Sequence, residues 1–403
     1  MIYQTYQAST DFLAPLRVLA DGMATAMRQS PMGGAGMVQV MAAASEMFSR
    51  FELSHHRPDF AIRGVTVDQK EYAVEEEAAL VTPFATLLRF RKNGGPEQPR
   101  VLVVAPLSGH FATLLRNTVE TLLPEHDVYI TDWHNARDVP LEAGRFGLDE
   151  YTEHVIRFLE AMGPGSHIVA VCQPCVSALA AAALMAEDNN PAQPRSMTLM
   201  AGPIDCRVNP TKVNELATSK SIGWFERNLI DTVPGRFPGA GRRVYPGFVQ
   251  LSSFMAMNMD RHMKAHLQMF EHLVTGDEEK SEASKKFYDE YFAVLDLAAE
   301  FYLETVQRVF QEYDLPRGEL KWRGHTVNPR AIRRTALLTV EGEKDDICSL
   351  GQTLAAQDLC NGLRPFLKKH HMQAGVGHYG VFSGRRWQNQ IYPIVKNVIL
   401  ASS

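Results

Sequence analysis

Ile168-Val-Ala-Val-Cys-Gln-Pro-Cys175 is the stretch around which the chain is organised. The apolar run Ile168 to Val171 predicts a short buried strand, and the alanine-rich run Val176 to Met185 predicts a helix. Between them the chain has to turn sharply, and Cys172 sits at the turn.

A nucleophile on a tight strand-to-helix turn is the elbow of α/β-hydrolases. Its usual form, Gly-x-Nuc-x-Gly, here reads Ala170-Val-Cys-Gln-Pro174. The flanking positions must be small because strand and helix approach closely, and alanine meets that need. Pro174 lacks an N–H, but the oxyanion donor of an elbow is the next residue's N–H, here Gln173. Proline also suits the first turn of a helix, where N–H groups have no intrahelical partner. Two other readings compete: a small buried cysteine ahead of a helix, and a redox dithiol, Cys172-x-x-Cys175. The dithiol fits poorly, because the pair lies deep in a larger sheet pattern rather than after an early strand of a small domain.

Working outward, the flanking segments predict an α/β fold with a mainly parallel sheet flanked by helices. Val65, Val67, Ala73, Val74, Ala85, Leu87 and Leu88 fit short antiparallel starting strands, and Asn93-Gly-Gly-Pro96 a turn. Val101 to Val104, Val128 to Thr131, Met197 to Met200 and Ala336 to Val340 read as buried parallel strands. Helices are expected at Phe111 to Leu123, at Asp149 to Met162 with Asp149 as N-cap, and at Trp387 to Leu400. Alternating strands and helices imply right-handed crossovers. Two helices, Tyr6 to Arg28 and Met37 to Phe51, suggest an N-terminal helical arm over 1–60. The hydrolase core then occupies 61–205 and 331–403. From 206 to 330 the strand rhythm stops, and the segment reads as a helical cap. Its stripes run from Phe254 to Val274 (Met255, Met259, Met263, Leu267, Phe270) and from Lys285 to Tyr313. They suit either a flexible aliphatic substrate or the cap's own core.

An α/β-hydrolase carries nucleophile, acid and histidine in that chain order. Here the order is Cys172, Asp345, His378. Asp345 follows the strand Ala336 to Val340 and Gly342, and His378 lies among glycines on a late loop. Asp346 and Asp205 are weaker candidates for the acid. Leu107 or Ser108, in the loop after Val101 to Val104, is assigned the second oxyanion N–H beside Gln173. Ser108 and His110 need not face each other, and a satisfied polar turn explains them. His370 and His371, next to Lys368 and Lys369, read as a solvated face. His262, His266 and His272 lack a carboxylate or thiol set at ligand spacing, so no metal and no cofactor is expected. A helix N-terminus and a neighbouring imidazolium both favour negative charge at Cys172.

The bulk composition narrows the classes further. A formal charge of -5 over 403 residues makes no case for nucleic acid. The first residues lack a basic-then-apolar secretory pattern, and no apolar run is long enough to span a bilayer. Five cysteines without a paired framework fit a reducing cytoplasm.

Several motifs together resemble the intracellular polyhydroxyalkanoate (poly-3-hydroxybutyrate) depolymerases. They are Val171-Cys-Gln-Pro174, Ala299-Glu-Phe-Tyr-Leu303, Leu338-Thr-Val-Glu-Gly-Glu-Lys-Asp-Asp346 and Gly377-His-Tyr-Gly380. The resemblance implies an α/β-hydrolase with a cysteine nucleophile, associated with storage granules in the cytoplasm. Its substrate would be the polymer or 3-hydroxybutyrate oligomers. The family's catalytic cysteine, aspartate and histidine fall on Cys172, Asp345 and His378. A homodimer is compatible with it. The related synthases resemble Gly-x-Cys-x-Gly at the elbow, and both glycines are missing here. A synthase-like acyltransferase, a non-catalytic granule-binding protein and a hydrolase of soluble oligomers remain the rivals.

Overall fold

The structure, a computed structural model, describes residues 2–31, 33, 34, 36–257 and 259–403, without the side chains at 254, 256, 257, 260–262 and 283. Phe254 and His262 therefore lie outside the described side chains. The strands are β1 (Gly64–Val67), β2 (Lys70–Val81), β3 (Ala85–Lys92), β4 (Arg100–Val104), β5 (Asp127–Trp133), β6 (His167–Val171), β7 (Ser196–Met200), β8 (Asp231–Thr232), β9 (Arg243–Tyr245), β10 (Leu297–Ala298), β11 (Lys321–Trp322), β12 (His325–Thr326), β13 (Ala336–Gly342) and β14 (Lys368–Gln373). Nine of them form one sheet in the order β1-β2-β3-β5-β4-β6-β7-β13-β14. The pairs from β1 to β5 through β3 are antiparallel, and every pair from β5 to β14 is parallel. From β2 onward this is the strand order of an α/β-hydrolase, with β1 added at the antiparallel edge.

Burial explains which segments became which strands. β6, β7 and β13 are buried at every residue, as central parallel strands covered on both faces must be. β2, near the edge, leaves most of its residues in solvent, which its glutamates and Lys70 tolerate.

The main helices are α1 (Ile2–Gln29), α2 (Gly36–Arg50), α3 (Arg116–Leu122), α4 (Leu148–Met162), α5 (Cys175–Glu187), α6 (Lys212–Thr218), α7 (Ile222–Leu229), α8 (Gly247–Met257), α9 (Met259–Thr275), α10 (Glu278–Tyr291) and α11 (Ala299–Glu304). A last helix spans Tyr392–Ser402. α5 is buried from Cys175 to Met185. Its alanines let the backbone lie close to the sheet on one side and to α4 on the other. α1 and α2 pack on each other, and α2 packs on α9. The start of α1 is fixed through Tyr3, which is fully buried and whose hydroxyl donates to Asp296 Oδ2 at 2.7 Å.

Several expectations need correction. α4 starts at Leu148, not Asp149; Gly147 is the N-cap, and its N–H is taken by Glu150 Oε2 at 2.7 Å. Asp149 instead accepts from Arg308 Nη1 at 3.0 Å and from the Arg323 N–H at 2.9 Å. Phe111 to Leu123 divides into a 3-10 turn, Ala112–Leu115, and α3. Trp387 to Leu400 begins with a π turn, Trp387–Ile391. The segment 206–330 does contain strands, β8 to β12, each too short to show a period. Lys285 to Tyr313 is not one helix: residues 293–298 leave the helical conformation for bridge and strand pairing. Asp296 holds them so, its carboxylate accepting from the Gly247 N–H and its carbonyl from the Ala136 N–H. Phe254 to Val274 belongs to two helices, α8 and α9. Met259, Met263 and Leu267 of that stripe are exposed rather than internal. The solvated face read for Lys368 to His371 needs no correction: it is edge strand β14, with Lys369 and His370 exposed and His370 Nδ1 2.9 Å from Thr339 Oγ1.

Candidate active site

The elbow forms where β6 ends. Cys172 has φ +67°, a left-handed conformation that a cysteine adopts only when its surroundings enforce it. Its N–H donates to Met200 O at 2.8 Å, prolonging the β6–β7 ladder by one residue, and its carbonyl accepts from the Cys175 N–H at 3.1 Å. Pro174 caps α5, and α5 begins at Cys175. Cys172 is partly exposed. Cys175 is not: its thiol points at Ala170 O and Met200 O, and burial pushes its pKa well above that of an ordinary thiol. The two cysteines therefore have different environments, which disfavours a redox pair.

Asp345 and His378 meet across two loops. His378 Nδ1 lies 2.8 Å from Asp345 Oδ2. The other carboxylate oxygen, Oδ1, accepts from the Ile347 and Cys348 N–H groups at 2.9 Å each. With Asp345 on Nδ1, the ring's other nitrogen is left for Cys172. Burial opposes charge on His378, but the negative charges of Cys172 and Asp345 outweigh it and raise its pKa well above that of an ordinary imidazole. The loops are stitched together, Lys344 N–H to Val376 O at 2.8 Å and Glu343 N–H to Gln373 O at 3.0 Å. Asp346 is exposed, and Asp205 is paired with Arg207 at 2.8 Å, so neither competes with Asp345.

The loop after β4 is held from several sides. Ala105 O accepts from Trp133 Nε1 and Tyr151 OH, each at 2.9 Å. Gln250 of α8 donates its amide to Ser108 O, and the Leu295 N–H donates to Gly109 O at 2.9 Å. Among the described residues, no acceptor takes the backbone N–H of Leu107, Ser108 or Gln173. His110 does not serve Ser108: it is buried against Tyr291 O at 3.2 Å, and desolvation lowers its pKa to about 4. His266 packs on Tyr288 with its ring tilted by 44°, and among the described residues no three His, Cys, Asp or Glu side chains converge as a metal site.

Three features escaped the sequence reading. The side-chain amide of Gln173 is buried with neither polar atom partnered. Glu341, buried at the end of β13, accepts from the N–H groups of Gly351, Thr353 and Leu354 between 2.8 and 3.0 Å. Thr353 in turn accepts from the Gly202 N–H at 2.8 Å and donates to Gly202 O at 3.0 Å. Gly202 lies against the elbow, where an added Cβ would fall 2.2 Å from Cys175 Cβ and 3.1 Å from Cys172 O. A glutamate inside an apolar run and a glycine just after a strand were the available signals. Gly202→Ala should therefore displace the elbow, lowering stability by about 3 kcal/mol, the upper range for overpacking, read from the denaturant midpoint.

A family described as PHB de-polymerase C-terminus matches residues 201–403. No curated protein matches the chain. Among solved structures, a 2-hydroxy-6-oxo-6-phenylhexa-2,4-dienoate hydrolase from Rhodococcus sp. strain RHA1 is 12% identical with a TM-score of 0.44, covering 81% of this chain and 100% of that one. An alpha/beta hydrolase from Penicillium sp. sh18 is 13% identical with a TM-score of 0.44, covering 82% and 98%. A monoacylglycerol lipase from Paleococcus ferrophilus is 11% identical with a TM-score of 0.42, covering 76% and 97%. These likenesses are too remote to bear on the chemistry. The family match takes in half of the chain, including β13 and the two loops that bring Asp345 to His378. On that ground the chain belongs to the PHB de-polymerase family and is an ester hydrolase.

Proposed function

We propose that the chain is an intracellular poly-3-hydroxybutyrate depolymerase working through Cys172, His378 and Asp345. The observation that carries this reading is the bond between Asp345 and His378, whose ring also lies in the field of a cysteine at an elbow. The Cys172 thiolate attacks the ester carbonyl carbon. The oxyanion is received by the Gln173 N–H and by that of Leu107 or Ser108. As the C–O bond breaks, the imidazolium of His378 gives its proton to the leaving alkoxide. His378 then takes a proton from water, whose oxygen attacks the thioester; the acid leaves and the thiolate returns. Residues 61–205 and 331–403 would form the catalytic core, 206–330 a cap over it, and 1–60 an arm.

An insoluble substrate requires a surface, and α9 supports that part of the reading. Met259, Met263 and Leu267 are exposed on it, next to a cavity of about 520 Å³ lined also by Met47, Phe51 and Met255. α9 also reaches the cavity walled by Tyr379 and Phe382, through Ala265, and α10 lines that cavity with Phe287 and Tyr291. We assign this face to the amorphous polymer in the granule. No described helix is long and apolar enough to cross a membrane. Met259→Glu, Met263→Glu and Leu267→Glu combined should lower the ratio of granule to soluble-trimer hydrolysis by at least about tenfold, about the loss of one well-buried apolar side chain. An unchanged ratio would remove this face from granule binding.

The function is tested by incubating the wild type with amorphous poly-3-hydroxybutyrate granules and measuring released 3-hydroxy acid. Release is expected. Its absence, with polymer formed from a hydroxyacyl-CoA instead, would favour a synthase-like acyltransferase.

A further inference from the structure

A second cavity, of about 820 Å³, is walled in part by Tyr379 and Phe382. Two rings in its wall lie against the imidazole, Tyr379 at 6.0 Å and Phe382 at 5.8 Å between centroids. Asp346 and Ile347, which directly follow Asp345, form another part of the wall. The cavity thus lies one ring away from His378, the group that hands a proton to the leaving alkoxide.

The charge in this cavity is unbalanced. Three cations line it, Arg116, Lys212 and Lys286, against two carboxylates, Glu290 and Asp346. Arg116 and Glu290 satisfy each other at 3.0 Å, and Glu290 also accepts from Thr113. Lys212 and Lys286 remain, both exposed, and no ion pair to Asp346 or to any other described carboxylate occupies them. Lys212 moreover sits at the first position of α6, after the N-cap Thr211. There the helix dipole disfavours a cation, so local helix energetics do not explain the lysine.

We propose that Lys212 and Lys286 bind the terminal carboxylate of the leaving fragment, so that the enzyme cleaves preferentially near the carboxyl end of its polyester. This deepens the depolymerase reading and rests on it. When the scissile ester is close to that end, the leaving hydroxy acid carries a free carboxylate into the cavity, while its new hydroxyl stays beside His378. Two ammonium groups on flexible stems suit a carboxylate whose position varies with fragment length.

The test compares 3-hydroxybutyrate trimer as the free acid with its methyl ester, using the full chain as wild type and as Lys212→Met/Lys286→Met. Methionine keeps most of each stem and removes the charge. The wild type should prefer the acid about tenfold in kcat/KM, about what two exposed ion pairs contribute. The double variant should bring that ratio to about one, through KM for the acid rather than through kcat. A ratio near one in the wild type, or a ratio unchanged by the double substitution, overturns the carboxylate subsite and leaves the depolymerase reading standing. A wild type that cleaves neither compound overturns both.

Discussion

Cys172→Ala is expected to lower ester hydrolysis by about a thousandfold or more, the usual cost of removing a nucleophile whose base and oxyanion donors remain. Neither neighbouring thiol nor hydroxyl is placed to take over. Cys175 donates into the carbonyls of Ala170 and Met200, and Ser108 has no base, because His110 is turned to Tyr291. The change removes one sulfur atom from a partly exposed position, so the fold should survive it. Assay of granules and soluble trimer, with circular dichroism as a control, reads the effect. Activity within tenfold of the wild type would mean that the elbow cysteine is not the nucleophile.

Asp345→Asn should cost between about a hundredfold and ten-thousandfold in kcat, although the side chain keeps its shape. The reason lies in the two N–H groups of Ile347 and Cys348, which both donate to Oδ1. They hold the oxygen of an asparagine in that place and turn its NH2 toward His378. The ring must then accept at Nδ1 and carry its proton on the nitrogen that faces Cys172, the wrong tautomer for a base. A pH signature follows. Asp345 is one of the charges that raise the His378 pKa. Its removal lowers that pKa, so the imidazolium is lost at lower pH and the basic limb of kcat/KM moves down. A basic limb that stayed in place would exclude Asp345 from the site.

Much of this was readable in the residues. The apolar runs ending at Val104, Val171, Met200 and Val340 announced the parallel strands because a strand covered on both faces has no reason to alternate. The order Cys172, Asp345, His378 was readable because each residue follows an element that periodicity exposes. What periodicity could not show was anything decided by contacts between distant segments. Residues 293–298 lie between helices but pair as bridges and strand, because Gly247 and Ala136 donate to Asp296. Gly202 and Glu341 matter through the loop at 351–354, ten or more residues from Glu341 and far from Gly202. Two- and three-residue strands such as β8 and β9 carry too few side chains to form a pattern at all.

The bond from Tyr3 to Asp296 also has a consequence in time. Its ends are separated by 293 residues. At about 5–20 residues per second, a ribosome needs roughly 15–60 s to deliver the partner after Tyr3 has been made. α1 thus leaves the tunnel long before it can be seated, and Phe12, Val18 and Leu19, exposed even in the finished protein, spend that interval on a nascent chain. A chain diluted from denaturant has Asp296 available from the first moment and follows a different route, so its refolding yield says little about how the protein fares during synthesis.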